Sequence, residues 1–294
     1  MAFINGYKMI KDCIVAIVQK FHRGKPDFPE ILGSGFLVSR EGVVCTCRHV
    51  ADAIRQLPRP SGYHGFPACV LVFTEIEKDG RKGVGVLNVD IDSMGDADIW
   101  GETTSYLGPN PPEVSMILLS VRETPAIEFA TDPLREGEEV AFGGFPMGTR
   151  GLRAPGWLHQ LSPFLHCGIV SAILPHHSAT LPHAFLLHAN TQPGASGSPV
   201  FRDDGKLVGM VYMVLRHRET IGGGADDAGF LYYTVPTSLT GCVPFPILKQ
   251  VHDVASAHMP TKPRVTLGEY ISARKPIMVG SGDSVFTEWK GNDG

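Results

Sequence analysis

The chain has 294 residues, of which 43% are hydrophobic and 19% charged, and a formal net charge of −4. This composition is typical of a folded globular protein rather than a disordered one, and the lack of a lysine and arginine stripe argues against nucleic acid as a partner. The longest apolar runs are far shorter than the roughly 18 residues that a membrane-spanning helix needs, so no membrane partner is expected.

The N-terminus and the cysteines predict a cytoplasmic protein. The apolar run Cys13–Val18 follows Lys8 and Lys11, but it lacks the small-residue cleavage site of an export signal. Without export, buried free thiols are expected rather than disulfides. The six cysteines are Cys13, Cys45, Cys47, Cys69, Cys167 and Cys242.

Short strand-like runs between turn residues predict an all-β fold, either a barrel or a sandwich. Glycine (34 residues) and proline (23 residues) together make up about a fifth of the chain, against roughly 12% in an average protein, so turns are frequent. Strands rich in Val, Ile and Phe are predicted at Ile14–Val18, Gly35–Val38, Val43–Thr46, Cys69–Phe73, Val84–Val89, Val114–Leu119, Glu139–Phe142, Gly168–Ile173, Ala184–His188, Pro199–Phe201, Leu207–Met213 and Phe230–Val235.

The order of these runs indicates two barrels followed by one helix. The helix is predicted at Pro246–His258, where Ile247, Val251 and Val254 form an apolar stripe. We divide the chain into an N-terminal barrel (8–125), a C-terminal barrel (126–245) and a C-terminal helix with a polar tail (246–294), and the seam between the barrels falls near Arg122–Pro133. Beyond residue 259 the tail is either laid over the body or a flexible extension.

A glycine-flanked serine is the first candidate for chemistry. In the run from Gly194 to Pro199, glycines before and after Ser196 let the backbone turn tightly enough to aim two amide N–H groups at one point. Such a nest can hold an oxyanion while the serine attacks a carbonyl. Gly/Ser/Pro clusters are also ordinary turns. The α/β-hydrolase elbow does not fit, because Ser198 takes the place of its second glycine and a strand follows.

A serine nucleophile needs a base, and the base needs a carboxylate to orient it. His49 is the candidate base, because it stands at the end of the second strand of a predicted hairpin and is therefore held on a rigid element. Neighbouring strand residues point to opposite sides, so Arg48 is expected to face away from the imidazole. Asp98, which opens an apolar dipeptide, is the candidate carboxylate, and Asp96 is the alternative.

The order His49, Asp98, Ser196 resembles that of chymotrypsin-fold serine proteases, and the surrounding segments resemble the HtrA/Deg branch. The resemblance covers about residues 14–240 and implies two six-stranded antiparallel β-barrels with these residues in the cleft. The segments that carry it are GSGFLVSREGVVCTCRHV, DADIW, LREGEEVAFGGFPMG, CGIVSAI, TQPGASGSPVFRDDGKLVGMVY and, more weakly, YTVPTSL.

The resemblance also implies a function, a serine endopeptidase that cleaves protein or peptide substrates through an acyl-enzyme. His49 would act as general base and then general acid, Asp98 would orient it, Ser196 would be the nucleophile, and the N–H groups of Gly194 and Ser196 would form the oxyanion hole. No cofactor and no metal are expected. Four histidines could be considered as metal ligands, but they lie in a loop and a strand without a fitting ligand set; they are His176, His177, His183 and His188.

Three departures from the family pattern limit what can be carried over. Ala195 stands where HtrA relatives have Asn and trypsins have Asp, so activation by a new N-terminal amine that pairs with the aspartate is not available. Ser198 is expected to add a side chain near the cleft. The residues after 258 are too few for the PDZ domain of HtrA proteases, so trimer-forming and substrate-sensing behaviour is not carried over.

By the same resemblance, the pocket for the P1 side chain is lined by five residues: Asn190, Thr191, Val211, Tyr212 and Met213. The segment before the serine holds no acidic residue, so an apolar or small P1 residue is expected rather than Arg or Lys, and Tyr212 could narrow the pocket. Two alternatives stay open. The protein could be a catalytically silent relative that binds peptides or serves as a scaffold, or an enzyme gated by its tail or by a regulatory protein partner.

Overall fold

The computed structural model describes residues 3–21, 30–78, 81–96, 112–146, 163–179, 181–221, 231–259, 262–273 and 277–279. Within these ranges strands predominate. The strands are β1 (Ile14–Gln19), β2 (Ile31–Ser39), β3 (Val43–Thr46), β4 (Ala68–Lys78), β5 (Arg81–Gly95), β6 (Ser115–Leu119), β7 (Val121–Arg122), β8 (Glu139–Gly144), β9 (Phe164–Leu174), β10 (Ala184–His188), β11 (Pro199–Phe201), β12 (Leu207–Ile221), β13 (Leu231–Pro244), β14 (Val265–Thr266) and β15 (Ile277–Val279). The helices are α1 (Phe3–Ile10), α2 (Arg48–Gln56), α3 (Phe245–His258) and α4 (Leu267–Ala273), with a 3-10 turn at Lys11–Cys13.

The first barrel consists of six antiparallel strands in the order β5-β4-β1-β2-β3-β6, and pairing of β5 with β6 closes it. β15 adds to β5 outside the closed set. In β1 the β-branched run Ile14–Val18 is buried on both faces, because one face points into the barrel and the other packs towards the second barrel, where Cδ1 of Ile14 reaches the position that a Cβ on Gly143 would occupy. Burial of this run therefore stabilises both the barrel and the contact between barrels.

The second barrel is closed by six antiparallel strands in the order β10-β13-β12-β11-β8-β9. Its interior is filled by large apolar side chains, including Phe142, Phe185 and Leu187. The predicted fold class, two six-stranded antiparallel barrels with a C-terminal helix, is thus confirmed. Each of the twelve predicted strands overlaps an observed strand, and the predicted helix corresponds to α3. The domain boundaries at 125/126 and 245/246 stay predictions.

The helix α2 was not predicted from the sequence. His49 was expected at the end of a strand, but β3 ends at Thr46 and the chain enters α2 at Arg48. The helix forms because Val50, Ala51 and Ile54 recur on one face and are buried against the barrel. The correction places the imidazole on the first turn of a helix rather than on a strand.

Part of the C-terminal tail is laid over the first barrel. β14 pairs in parallel with β7, and the Nη1 group of Arg264 donates to the carbonyl oxygens of Leu119 and Val121, each at 3.2 Å. The hydroxyl of Tyr270 donates to the carbonyl oxygen of Asn88. Residues 262–273 are therefore an integral layer of the fold.

All six cysteines are free thiols; five of them are buried and Cys167 is exposed. The longest helix that the structure describes, α3, has 14 residues. Among the described helices none has the length and hydropathy needed to span a bilayer.

Candidate active site

The loop before Ser196 begins with a tight turn over residues 192–195. The amide of Ala195 donates to the carbonyl oxygen of Gln192 at 3.1 Å. Pro193 fixes the second position of this turn, and Gly194 takes the third with a φ of +97°. Proline followed by a residue with positive φ defines a type II turn, so the Pro-Gly pair sets the backbone just before the serine.

A second turn follows directly and carries Ser196 at its second position. The amide of Ser198 donates to the carbonyl oxygen of Ala195 at 2.9 Å, and Gly197 has a φ of +88°. A Cβ on Gly197 would lie 2.0 Å from the carbonyl oxygen of Ser34 in β2. Only glycine fits here, because the loop presses against a strand of the first barrel.

Two successive turns leave unpaired donors around the serine. Within the described part of the chain, the amide N–H groups of Gly194 and Ser196 donate to no protein acceptor. The hydroxyl of Ser196 is likewise without a protein partner among those residues, and the residue is half-buried. Backbone N–H groups in such a concave arrangement attract an anion.

Ser34 fixes this loop to the first barrel. Its amide donates to the carbonyl oxygen of Ser196 at 2.8 Å, and its hydroxyl donates to the carbonyl oxygen of Gly194 at 2.7 Å. The same hydroxyl accepts the amide of Phe145 at 2.9 Å. Ser34 is completely buried, so these bonds are shielded from water. The sequence analysis did not single out this residue, and its place between Gly33 and Gly35 is the only local signal for it.

His49 lies on the first turn of α2, and its neighbours in the chain contact the serine loop. The thiol of Cys47 donates to the carbonyl oxygen of Val211 at 3.2 Å, which also accepts the amide of Gly197 at 2.8 Å. On the other side, a Cβ on Gly33 would lie 2.6 Å from Cγ2 of Val50 and 3.3 Å from the carbonyl oxygen of Ser196. The helix turn that carries the imidazole is thus packed beside the loop that carries the hydroxyl.

The imidazole of His49 is 47% exposed and is held on one side only. Nδ1 lies 3.0 Å from Oε2 of Glu113, and the backbone amide of His49 donates to the same oxygen at 3.4 Å. Nε2 has no partner among the described residues, and it forms no hydrogen bond with the Ser196 hydroxyl in this unliganded arrangement. Catalytic hydrogen bonds are often long in the free state and tighten on substrate binding.

Glu113 was not considered in the sequence analysis. It precedes the buried strand β6, and a carboxylate just before an apolar run, here Val114–Leu119, is the same signal that singled out Asp98. The hydrogen bond from His49 holds the pKa of the Glu113 carboxyl below its usual 4.5, while burial opposes this shift.

Neither of the two predicted carboxylates is seen beside His49. Asp98 lies outside the described residues. Asp96 faces other partners: its Oδ2 lies 3.0 Å from Nη2 of Arg55 and 3.7 Å from Nη2 of Arg48, and its Oδ1 accepts the hydroxyl of Ser115. Arg48 therefore has Asp96 as a salt-bridge partner. It lies on α2 and not on a strand, so the strand argument for its facing away from the imidazole does not apply.

A cavity of about 220 Å³ opens next to the serine. Four of the five predicted pocket residues line it, together with Ser196; Asn190 is exposed and does not. Because one water molecule takes up about 30 Å³, a cavity of this size can hold one substrate side chain. The lining residues are Thr191, Gln192, Pro193, Ala195, Ser196, Val211, Tyr212, Met213, Val214 and Arg216.

Thr191 is a polar residue of the cavity lining whose hydroxyl has a partner within the protein. The hydroxyls of Thr191 and Thr240 lie 2.9 Å apart, and that of Thr240 donates to the carbonyl oxygen of Ala189 at 2.9 Å. Both threonines are buried. No carboxylate lines the cavity, as far as its described walls show, and Arg216 is the charged residue there.

A sequence model of the trypsin-like peptidase domain matches residues 33–210, more than half of the chain. The chain belongs to this family. No curated protein sequence matches it. Solved structures of peptidases share the fold at low identity: a serine-to-alanine variant of the HtrA-type protease AlgW, solved with a decapeptide, matches with a TM-score of 0.51 and 14% identity over 88% of this chain and 68% of that one. A serine endoprotease from Yersinia pestis matches with a TM-score of 0.50 and 13% identity over 86% of this chain and 66% of that one.

Ser198, which departs from the family pattern, lies elsewhere than the sequence predicts. Ser198 was expected to add a side chain near the cleft, but it is completely buried, and a Cβ on Gly144 would lie 1.8 Å from its hydroxyl oxygen. The Ser198 hydroxyl has no hydrogen-bond partner among the described residues. It therefore takes no part in the surface of this peptidase's cleft.

The histidines outside the site do not form a metal centre in the part of the peptidase that the structure describes, where no three His, Cys, Asp or Glu side chains are grouped for an ion. His166 instead stacks on Phe142, with ring centroids 4.9 Å apart. Burial lowers the pKa of His166 and that of His183, because desolvation disfavours the charged imidazolium.

Proposed function

We propose that this trypsin-like peptidase is a serine endopeptidase that cleaves protein substrates through an acyl-enzyme. The observation that carries the proposal is the serine loop itself, in which an unpaired Ser196 hydroxyl stands beside unpaired amide donors at a cavity for one side chain. The packing of the His49 turn against this loop supplies the base.

In the proposed reaction, Oγ of Ser196 attacks the carbonyl carbon of the substrate while Nε2 of His49 takes the hydroxyl proton. The oxyanion is held by the N–H groups of Gly194 and Ser196. His49 then gives its proton to the leaving amine, and a water molecule, deprotonated by His49, hydrolyses the acyl ester and restores the free serine.

The assignment of Asp98 as the residue that orients His49 stays a prediction, because Asp98 lies outside the described residues. The predicted gating is also untested. The described tail residues, 262–273 and 277–279, pack on the first barrel through β7 and β5, and none of them lines the cavity at Ser196. Gating by these described tail residues would therefore act through the first barrel, or through a regulatory protein bound there.

A fluorophosphonate probe tests the proposal, because it reacts with an activated serine only. The wild-type protein should be labelled at Ser196, and Ser196→Ala should abolish labelling. Ser198→Ala is the matched control: it removes a hydroxyl two residues away that is buried and outside the cavity lining, and it should keep wild-type labelling. Equal labelling of Ser196→Ala would refute the assignment of the nucleophile.

Two further outcomes separate the alternative function. A catalytically silent peptide-binding protein would bind peptides at the cavity without labelling and without new N-termini in a digested proteome. An active endopeptidase should generate new N-termini that are missing with Ser196→Ala, and their sequences would report the P1 preference.

A further inference from the structure

We propose that Glu113, and not Asp98, is the carboxylate that positions His49 for proton transfer. This inference rests on the proposed function, since positioning matters only if His49 serves Ser196. Glu113 would be a positioning residue, because it acts through the imidazole and not on the substrate.

The strand register places Glu113 beside His49. β3 and β6 are antiparallel neighbours with Thr46 opposite Ser115. Glu113 lies two residues before Ser115 and Arg48 lies two residues after Thr46, so this pairing brings the segment that carries Glu113 close to the start of α2. The contact is thus a consequence of the barrel's register, which the buried side chains of β3 and β6 fix.

A single carboxylate oxygen receives both the ring and the backbone of His49. Oε2 of Glu113 lies 3.0 Å from Nδ1 and 3.4 Å from the backbone nitrogen. A carboxylate accepts hydrogen bonds, so Nδ1 carries the proton and Nε2 is left as the free base. The second bond fixes the helix turn against the carboxylate, which restricts the orientation of the ring.

The other carboxylates are at a disadvantage for this role. Asp96 is already paired with Arg55 and Arg48. Nδ1 has one hydrogen to donate and Glu113 receives it, so Asp98 could take the role only by displacing Glu113.

The surroundings of Glu113 favour its ionised form. The charged and titratable groups that face Glu113 are His49 and Arg48 on α2, Cys47 at the helix start and Tyr212 on β12. Arg48 is a cation near the carboxylate, while the thiol and the phenol stay neutral because burial raises the pKa of both. The Glu113 side chain is 28% exposed, so its contact with His49 is partly shielded from water.

The test compares Glu113→Gln, Glu113→Asp and Asp98→Asn in the full chain, using the peptide substrate found by N-terminus mapping. Glu113→Gln should lower kcat by about 10⁴-fold, the loss typical of a triad carboxylate replaced by its amide, with little change in KM. Glu113→Asp should recover part of this loss.

Glu128→Gln is the matched control, because it neutralises an exposed carboxylate outside the cavity lining, and it should stay within a few-fold of wild type. Asp98→Asn is the competing arm: a loss of kcat there that exceeds the loss in Glu113→Gln would overturn the proposal. A readout that needs no activity is the Nδ1–H proton of His49 in NMR spectra, which should be present in wild type and in Asp98→Asn and absent in Glu113→Gln. If Glu113→Gln folds poorly, Glu113→Asp takes its place in this measurement. The Nδ1–H signal should persist in Glu113→Asp, because that variant keeps the carboxylate.

The failures of the two proposals are distinguishable. If wild type is labelled by the fluorophosphonate but Asp98→Asn, and not Glu113→Gln, loses kcat, the role of Glu113 is wrong and the endopeptidase stands. If wild type is not labelled, the endopeptidase is wrong, and the Nδ1–H signal alone decides whether Glu113 holds His49. Loss of that signal in Asp98→Asn would overturn the inference in either case.

Discussion

Ser34 and Ser196 are joined across the two barrels by a hydrogen bond of 2.8 Å from the amide of the first to the carbonyl oxygen of the second. The strand that carries Ser34 belongs to the barrel that also carries His49. The nucleophile loop therefore takes its position from the same scaffold as the base, and the alignment of the two does not depend on the second barrel alone.

Removal of the Ser34 hydroxyl should weaken both the fold and the serine loop. Ser34→Ala leaves the buried amide of Phe145 and the carbonyl oxygen of Gly194 without the partner that they now share. A buried polar group left unsatisfied costs about 1–3 kcal/mol, so the free energy of unfolding in urea should fall by about that amount. The rate of fluorophosphonate labelling should fall as well. Ser171→Ala, which removes an exposed hydroxyl with a weak contact at 3.5 Å, should change neither; a similar loss there would contradict this account.

Gly197 should not accept a side chain, because a Cβ there would clash with Ser34. The control variant Gly62→Ala separates this clash from the backbone strain. Gly197→Ala would place a Cβ 2.0 Å from the carbonyl oxygen of Ser34 in addition to its strained φ of +88°. Gly62 has a similar φ of +80° with nothing within 4 Å, so Gly62→Ala carries the backbone strain alone, about 1 kcal/mol. We expect Gly62→Ala to be labelled like wild type and Gly197→Ala to lose labelling. Equal labelling of the two would show that the close approach to Ser34 does not control the loop.

Much of the fold could be predicted because its signals are local. Runs of β-branched residues between turn residues marked each of the twelve predicted strands, and the apolar stripe of α3 marked its helix. The helix α2 was missed since its apolar residues follow directly after the β-branched run of β3, and the boundary at Cys47 has no side-chain cap to signal it. When apolar residues continue without a break, the sequence does not show where the strand period ends and the helical period begins.

A site residue could be predicted only where its own sequence segment carries a signal for it. Ser196 has its flanking glycines, and His49 follows a buried strand. Asp98 and Glu113 each precede an apolar run, so the sequence favours neither on physical grounds. What brings Glu113 to His49 is the pairing of β3 with β6, and such pairing between distant segments is not visible in either segment alone.

The thiols should report the burial of both barrels. Burial raises the pKa of Cys13 and of Cys69 to about 12, and it raises that of Cys45 further, so these groups are neither accessible nor ionised near neutral pH. Cys167 is exposed, although partial burial and Glu139 raise its pKa. Iodoacetamide should therefore modify Cys167 alone, and slowly, in the native protein. Mass spectrometry should show no native modification of Cys167→Ser and, after unfolding in guanidinium, modification of all six thiols in wild type; native labelling elsewhere would contradict the described packing.

The charge of the cavity should select against basic P1 residues. A Lys side chain in the cavity would share it with Arg216 and meet no carboxylate among the described lining residues. Repulsion of like charges about 4 Å apart in water is about 1 kcal/mol, so kcat/KM for a P1 Lys peptide should be about fivefold lower than for a matched norleucine peptide. Arg216→Glu should reverse the preference. Arg59→Glu makes the same charge change at an exposed site outside the lining; if it had the same effect, net charge and not the cavity would set the preference.

The contact between Glu113 and His49 should also appear in the pH dependence of stability. The folded-state pKa of Glu113 lies below the ordinary 4.5 because of its hydrogen bond to His49. A carboxyl with a depressed pKa contributes stability that is fully present above its unfolded-state pKa and is lost as the pH falls through its folded-state pKa. The melting temperature of wild type should therefore exceed that of Glu113→Gln at about pH 6, and the difference should shrink towards about pH 3. Glu128→Gln neutralises an exposed carboxylate and gives the background to subtract. A difference that stays constant across this range would mean that the ionised form of Glu113 gains nothing from its contact with His49.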